Sequence, residues 1–224
     1  MGTEVFGVLQ NAHKGDGALI FKIMKEYVEK AMTFAKYIKL IDDLLLDGKT
    51  TGPKQTEAMF GYAKLNRQRM HRLEKTVQLN VQLKTVAGKL NRRYIWLIIT
   101  EGWCGDAAQN LPVIEKIAAE SINIETRYIL RDENLELIDQ YLTDGGRAIP
   151  KLLALDADTF NVLGTWGARP AAAQELYNVL KKEELSKPLI MENLQRWYNA
   201  DKNQAIQNEF EVLLKRWNER VGAV

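Results

Sequence analysis

The stretch that most constrains the fold is a seven-residue apolar run followed directly by a turn and a helix. Residues 94–100, YIWLIIT, are aromatic and aliphatic side chains ending in one threonine. Such an unbroken run is typical of a strand buried on both faces of a sheet. The turn at 101–106 contains the cysteine Cys104, and the sequence then predicts a helix to about residue 120.

Beyond this point the patterns of strands and helices alternate. Further strands are predicted at 122–129, 151–156 and 162–166, and helices at 135–142 and 170–184. The last two strands are separated by a short turn and should pair with each other directly. A sheet built this way contains parallel and antiparallel pairs, so the sequence predicts a mixed α/β sheet flanked by helices.

Helical sequence precedes and follows this region. Apolar residues at three- and four-residue steps predict one long amphipathic helix over 18–45. Residues 55–90 predict a second helical stretch, perhaps in two pieces, with a strand as the alternative at 77–83. Helical sequence returns at 189–224. We therefore predict three segments: an N-terminal helical extension (1–90), a central domain (91–185) and a C-terminal helical extension (186–224). Both extensions should pack on the rest of the protein, because their stripes are too apolar to remain in water.

Composition excludes several classes of protein. The chain has 224 residues, of which 46% are hydrophobic and 27% charged, as in a globular protein. A net charge of +2 gives no case for nucleic acid or membrane partners, and the basic run at 54–93 is better explained as a solvated face. One cysteine and two histidines cannot form a Cys/His zinc site. We expect a cytoplasmic protein without a membrane span, a secretory signal, a metal or a cofactor.

Cys104 is the residue with the clearest chemical potential. A thiol at the first turn of a helix meets unpaired backbone N–H groups and the positive end of the helix dipole, which favour thiolate. Its pKa should therefore lie below the ordinary value of about 8.5. Asp106 carries a negative charge and opposes this shift. Pro112 should bend the helix that follows.

Three segments in this order resemble the thioredoxin superfamily. They are WCGDA at 103–107, AIPKL at 148–152 and GTWGARP at 164–170. In that superfamily a Trp-Cys-Gly-x-Cys motif joins a central strand to a kinked helix, and a cis-proline loop lies beside it. Together with LRDENLELIDQYLT at 130–143, the segments are similar to a group of bacterial thioredoxin-like proteins of poorly defined role, with helical sequence on both sides. The resemblance covers residues 92–184 and implies a thioredoxin-like fold.

The resemblance also implies a site. Cys104 would be the reactive thiol, Pro150 would be cis, and a protein or low-molecular-weight thiol or disulfide would be the substrate. The residues implied on the substrate side are Trp103, Gly105, Asp106, Ile149, Pro150 and Trp166. For the segment at 131–134 a capped turn is the favoured explanation, and a position of Arg131 near the thiol is the alternative.

The sequence departs from the superfamily at three positions. Asp106 stands where a proline is usual in the motif. Ala107 stands where the second cysteine is usual, and Ile98 where a buried aspartate is usual. A dithiol cycle within the chain is therefore excluded, because no second thiol can release a mixed disulfide. Two hypotheses remain. The retained motifs favour a monothiol thiol-disulfide oxidoreductase acting through Cys104, which is the function we expect. The losses favour the alternative, a non-redox protein-interaction module.

Overall fold

A mixed sheet of four strands forms the centre of the protein, for which the computed structural model describes residues 17–219. The strands are β1 (Tyr94–Thr100), β2 (Ile124–Leu130), β3 (Lys151–Asp156) and β4 (Val162–Trp166). Their spatial order is β2-β1-β3-β4, with β2 parallel to β1 and the other two pairs antiparallel. The predicted mixed sheet is confirmed. All seven residues of β1 are buried, because the strand is central and helices cover both faces.

Helices precede, interrupt and follow the sheet. In the first half of the described chain they are α1 (Gly17–Lys30), α2 (Phe34–Leu46), α3 (Glu57–Thr76), α4 (Val81–Gly88) and α5 (Gly105–Ala119). In the second half they are α6 (Leu135–Ile138), α7 (Ala171–Lys182), α8 (Lys187–Asp201) and α9 (Gln204–Glu219).

The prediction of one continuous helix over 18–45 is wrong. The chain leaves the helix at Met32, whose backbone N–H and carbonyl each bond to Tyr128 of β2 at 2.7 Å. Thr33 then caps α2 by accepting a bond from the N–H of Lys36. The apolar pattern continues through this break, so the periodicity alone does not show where α1 ends and α2 begins. The bridge at Met32 occupies part of the outer edge of β2, which would otherwise be open to pairing with another chain.

The helical stretch at 55–90 does divide into two pieces, α3 and α4, and the alternative of a strand at 77–83 is wrong. Residues 77–80 form an extended connection whose backbone bonds to a side chain and not to a strand. Asn80 N–H donates to Gln207 Oε1 at 2.8 Å, and Gln207 Nε2 donates to the carbonyl of Gln78 at 3.3 Å. Val77 and Leu79 are buried, which explains the alternating pattern.

The extensions share one core with the sheet, as predicted. Met24 of α1, Tyr37 of α2 and Phe210 of α9 are fully buried in the same cluster as Trp96 of β1. The Trp96 ring lies 5.4 Å from the Phe210 ring, centroid to centroid. A second, smaller cluster joins α7 to α8; its buried members are Ala173, Leu180, Ile190 and Leu194. Helix α8 contacts the rest of the protein through hydrogen bonds between its Tyr198 and residues of α5.

Candidate functional site

The cysteine motif and the proline loop meet at one sulfur atom. Cys104 lies between β1 and α5 and caps that helix, with its Sγ accepting from the N–H of Ala107 at 3.4 Å. The thiol donates to the carbonyl of Ile149 at 3.1 Å, across 45 residues of sequence. The Ile149–Pro150 peptide bond is cis, as predicted. The structure thus brings together the two segments on which the resemblance depends.

A glycine after β4 makes room for the proline loop. Gly167 has a φ of +114°, and a Cβ atom on it would lie 2.1 Å from the carbonyl oxygen of Pro150. Its own carbonyl accepts from Lys151 Nζ at 3.1 Å. Only glycine permits both this backbone conformation and this approach. The GTWG segment therefore fixes the loop that faces Cys104.

The predicted lowering of the thiol pKa is wrong. Burial, assisted by the Asp106 carboxylate, raises the pKa of Cys104 to about 12, against smaller lowering effects from the Ala107 N–H and from Arg169. The residue is only 7% exposed. The free energy needed to bury a thiolate exceeds the stabilisation that the helix N-terminus provides, so the thiol is neutral at physiological pH.

Asp106 is held by partners within the chain. Arg169 Nη2 lies 2.6 Å from one carboxylate oxygen, and the Tyr198 hydroxyl of α8 donates to the other at 2.8 Å. Asn110 donates to the Tyr198 hydroxyl at 3.0 Å, and the Arg169 guanidinium lies over the Tyr177 ring at 4.5 Å. This buried network connects α8 to α5. It leaves Asp106 without a carboxylate oxygen free for a substrate.

Trp103 and Gly105, the chain neighbours of Cys104, are partly exposed. Trp103 is half-buried, and the Arg131 guanidinium lies 4.8 Å from the centroid of its ring. Arg131 also donates to the carbonyl of Arg147 at 3.2 Å. A Cβ atom on Gly105 would meet no atom within 4 Å. Arg131 therefore joins the site through Trp103.

Trp166 packs inward. It is 6% exposed, its indole N–H donates to Glu209 of α9 at 2.6 Å, and its ring lies 5.4 Å from that of Phe210. These contacts give Trp166 a packing role between the sheet and α9. Of the residues implied on the substrate side, Trp103, Gly105, Ile149 and Pro150 lie around Cys104, whereas Asp106 and Trp166 are engaged by other parts of the chain.

A buried carboxyl lies next to the cysteine motif and was not predicted from the sequence. Glu101 is fully buried, and its Oε1 accepts from the N–H of Asp132 at 2.9 Å, while Oε2 has no partner among the described residues. Burial raises the pKa of Glu101, partly opposed by a hydrogen bond from Thr51. Ile98, where the superfamily has a buried aspartate, is also fully buried. The sequence did contain a signal for this buried carboxyl, because the acidic residue directly follows the seven residues of a buried strand.

This carboxyl should make stability depend on pH. Because its folded pKa is raised, the unfolded state releases the proton more easily, and the free energy of unfolding falls as the pH rises above the ordinary glutamate value. Glu101→Gln removes this titration. The measurement is the free energy of unfolding by urea at pH values from about 4, near the ordinary glutamate pKa, to about 8. The difference between variant and wild type should shift in favour of the variant as the pH rises. A constant difference across this range would contradict the assignment.

Other features of the described chain add little chemistry. Between residues 17 and 219 there is no group of three or more His, Cys, Asp or Glu side chains placed to hold a metal ion. None of the helices in that range has the length and hydropathy needed to cross a membrane.

Comparisons with known proteins agree with this geometry. A family model described as thioredoxin matches residues 52–185. A crystal structure of PA1234 from Pseudomonas aeruginosa, a protein of unknown function, is similar with a TM-score of 0.56 and 21% identity, covering 85% of this chain and 96% of that one. An HIV epitope-scaffold has a TM-score of 0.55, with 21% identity and the same coverage. No curated protein matches. With a mixed sheet, a cysteine motif at a helix start and a family match over most of its length, the chain belongs to the thioredoxin superfamily.

Proposed function

We propose that this chain is a thioredoxin-fold binding protein, whose surface around Cys104 and Pro150 holds an extended segment of a partner protein without disulfide exchange. The observation that carries the proposal is the state of the only thiol. Cys104 is buried, neutral and hydrogen bonded to the carbonyl of Ile149. The cysteine then serves as a packing residue that fixes the proline loop against α5.

The raised pKa of the Cys104 thiol favours binding over exchange. A pKa of about 12 in place of about 8.5 lowers the thiolate fraction at neutral pH by roughly three orders of magnitude. The thiolate is the species that attacks disulfides, so the resting site is correspondingly slow. No second cysteine exists in the sequence to complete a cycle.

The neighbouring surface has the chemistry of a binding site. Trp103 offers part of an aromatic ring and Arg131 a guanidinium stacked on it. Tryptophan and arginine are enriched among residues that dominate protein interfaces. Gly105 leaves the adjacent space open for a partner's backbone.

Monothiol exchange is the second candidate, favoured by the position of the sulfur. Sγ accepts the Ala107 N–H at the start of α5 and lies 3.1 Å from the carbonyl before the cis-proline. In this reaction the Cys104 thiolate attacks a disulfide, forms a mixed disulfide and releases one thiolate. An external thiol then attacks the mixed disulfide and regenerates Cys104.

Alkylation by iodoacetamide separates the two candidates. The single cysteine makes the mass shift of the intact protein unambiguous. For a binding protein we expect modification of the folded chain between about pH 7 and pH 9 to be at least ~100-fold slower than in the urea-unfolded chain. Rates that rise through a midpoint at or below about 8.5 would refute the proposal and support exchange.

Two substitutions extend the test to the partner. Cys104→Ser should keep the proteins that co-purify with the wild type, because the thiol is not the binding group. Gly105→Arg should lose them, since it places bulk in the open space next to the residue that follows Cys104. Gly61→Arg on α3 is the matched control, because a Cβ atom there also meets nothing within 4 Å. Loss of all partners in Cys104→Ser would contradict the binding proposal.

A further inference from the structure

A cluster of positive side chains without acidic partners lies at one end of α3. Between residues 17 and 219, every arginine forms an ion pair with a carboxylate except Arg69, Arg72 and Arg216. Arg69 and Arg72 are one helical turn apart, so their guanidinium groups are neighbours. Of the three described arginines without an ion pair, Arg69 and Arg72 are the two that lie next to each other.

Arg72 lines a cleft of about 350 Å³. It lies between the C-terminal half of α3, the α5 residue Gln109 and the turn from α8 to α9. Arg72 and Lys202 both line it, from α3 and from the turn between α8 and α9, and the lining contains no carboxylate among the described residues. Asp201, the acid nearest in sequence, is turned away, because its carboxylate caps α9 by accepting the N–H of Ala205 at 3.1 and 3.2 Å.

The remaining lining supplies hydrogen-bond donors. Asn199 uses its Oδ1 to accept from Gln195 at 3.1 Å, which leaves its Nδ2 protons for another acceptor. The amides of Asn203 and Gln204 also line the cleft. Lys202 and Asn203 have φ values of 51° and 63°. Two successive non-glycine residues in the left-handed region are unusual and occur preferentially where a site requires them.

Repulsion within the cluster favours an anion. Arg69 is half-buried, and its guanidinium donates to Asn66 Oδ1 at 3.1 Å. Burial lowers the pKa of Arg69, and the charge of Arg72 lowers it further. A negative group bound to Arg72 would relieve this repulsion between the two guanidiniums.

We propose that this cleft binds the oxyanion of a small molecule, a phosphate or a carboxylate, between Arg72 and Lys202 with the amides of Asn199 and Asn203 as further donors. The Tyr198 ring forms part of the same wall, and its hydroxyl bonds to Asp106 at 2.8 Å. A ligand in the cleft would therefore contact the side chain that ties α8 to the cysteine motif. The proposal does not depend on whether Cys104 exchanges disulfides.

Titration with inorganic phosphate and with succinate tests the proposal on the full chain, by calorimetry and by amide chemical shifts. We expect saturable binding of at least one anion, with the largest shifts at Asn199 and Asn203. Arg72→Gln and Lys202→Gln should each weaken it about tenfold, since each removes one charged hydrogen-bond donor. Both residues are exposed, so their substitution should leave the unfolding temperature unchanged. Tighter binding of phosphate would identify a phosphate ester ligand, and tighter binding of succinate a carboxylate.

Arg216→Gln is the matched control, because Arg216 is an exposed, unpaired arginine of α9 outside the cleft lining. It should bind as the wild type does. Equal weakening by Arg216→Gln would show diffuse surface attraction and overturn the proposal. So would the lack of saturation by either anion at concentrations of about 10 mM.

Discussion

Gly167→Ala should lower the free energy of unfolding by roughly 3 kcal/mol or more, since it combines left-handed strain with an overlap that cannot relax. The residue has a φ of +114°, and its new Cβ atom would lie 2.1 Å from the backbone oxygen of Pro150. A side chain could rotate away from such an overlap, but a backbone carbonyl cannot. The expected result is a large fall in the urea midpoint, followed by tryptophan fluorescence, with the proline loop displaced from Cys104.

Gly48→Ala isolates the cost of backbone conformation. Gly48 also has a positive φ, of +71°, but a Cβ atom there would meet nothing within 4 Å. We expect it to cost about 1–2 kcal/mol, the strain of a left-handed alanine. If Gly167→Ala costs no more than Gly48→Ala, the close approach between Gly167 and Pro150 does not constrain the loop.

The strands of the sheet could be predicted from sequence because each carries its own signal. Residues 94–100, 151–156 and 162–166 form strands with the predicted bounds. Their apolar runs end at turns, so both the type and the limits of each element are local properties. The break at Met32 is different. It depends on a backbone pairing with Tyr128, far along the chain, which no local periodicity reveals.

The candidate site also combines features that could be predicted from the sequence with features that could not. Motif order predicted that Cys104 would meet the loop of Pro150, because the superfamily resemblance includes the topology that joins them. The pKa of the thiol could not be predicted, since it depends on how deeply the sulfur is buried and on the charges around it. The partners of Asp106 lie 63 and 92 residues away, at Arg169 and Tyr198, and only the folded chain shows that they converge.

Breaking the Asp106–Arg169 pair should be costly for stability. Both side chains are about nine-tenths buried, with 8% and 9% of their surfaces exposed. Arg169→Met leaves the carboxylate buried without its cation, for which we expect a loss of about 3–5 kcal/mol. Adding Asp106→Asn removes the stranded charge, so the double variant should recover part of the loss. Arg196→Met is the control, because Arg196 pairs with Glu192 on the surface and should cost less than about 1 kcal/mol.

The same variants should move the thiol pKa in opposite directions. The Asp106 carboxylate raises the pKa of Cys104, and Arg169 lowers it. Asp106→Asn should therefore lower the midpoint of the alkylation profile and speed modification at a fixed pH, whereas Arg169→Met should raise the midpoint and slow modification. Burial stays the largest contribution in both, so neither variant should reach the ordinary value of about 8.5. If both variants shift the midpoint the same way, local loosening around α5 controls access to the thiol. The charges of Asp106 and Arg169 would then not set its pKa.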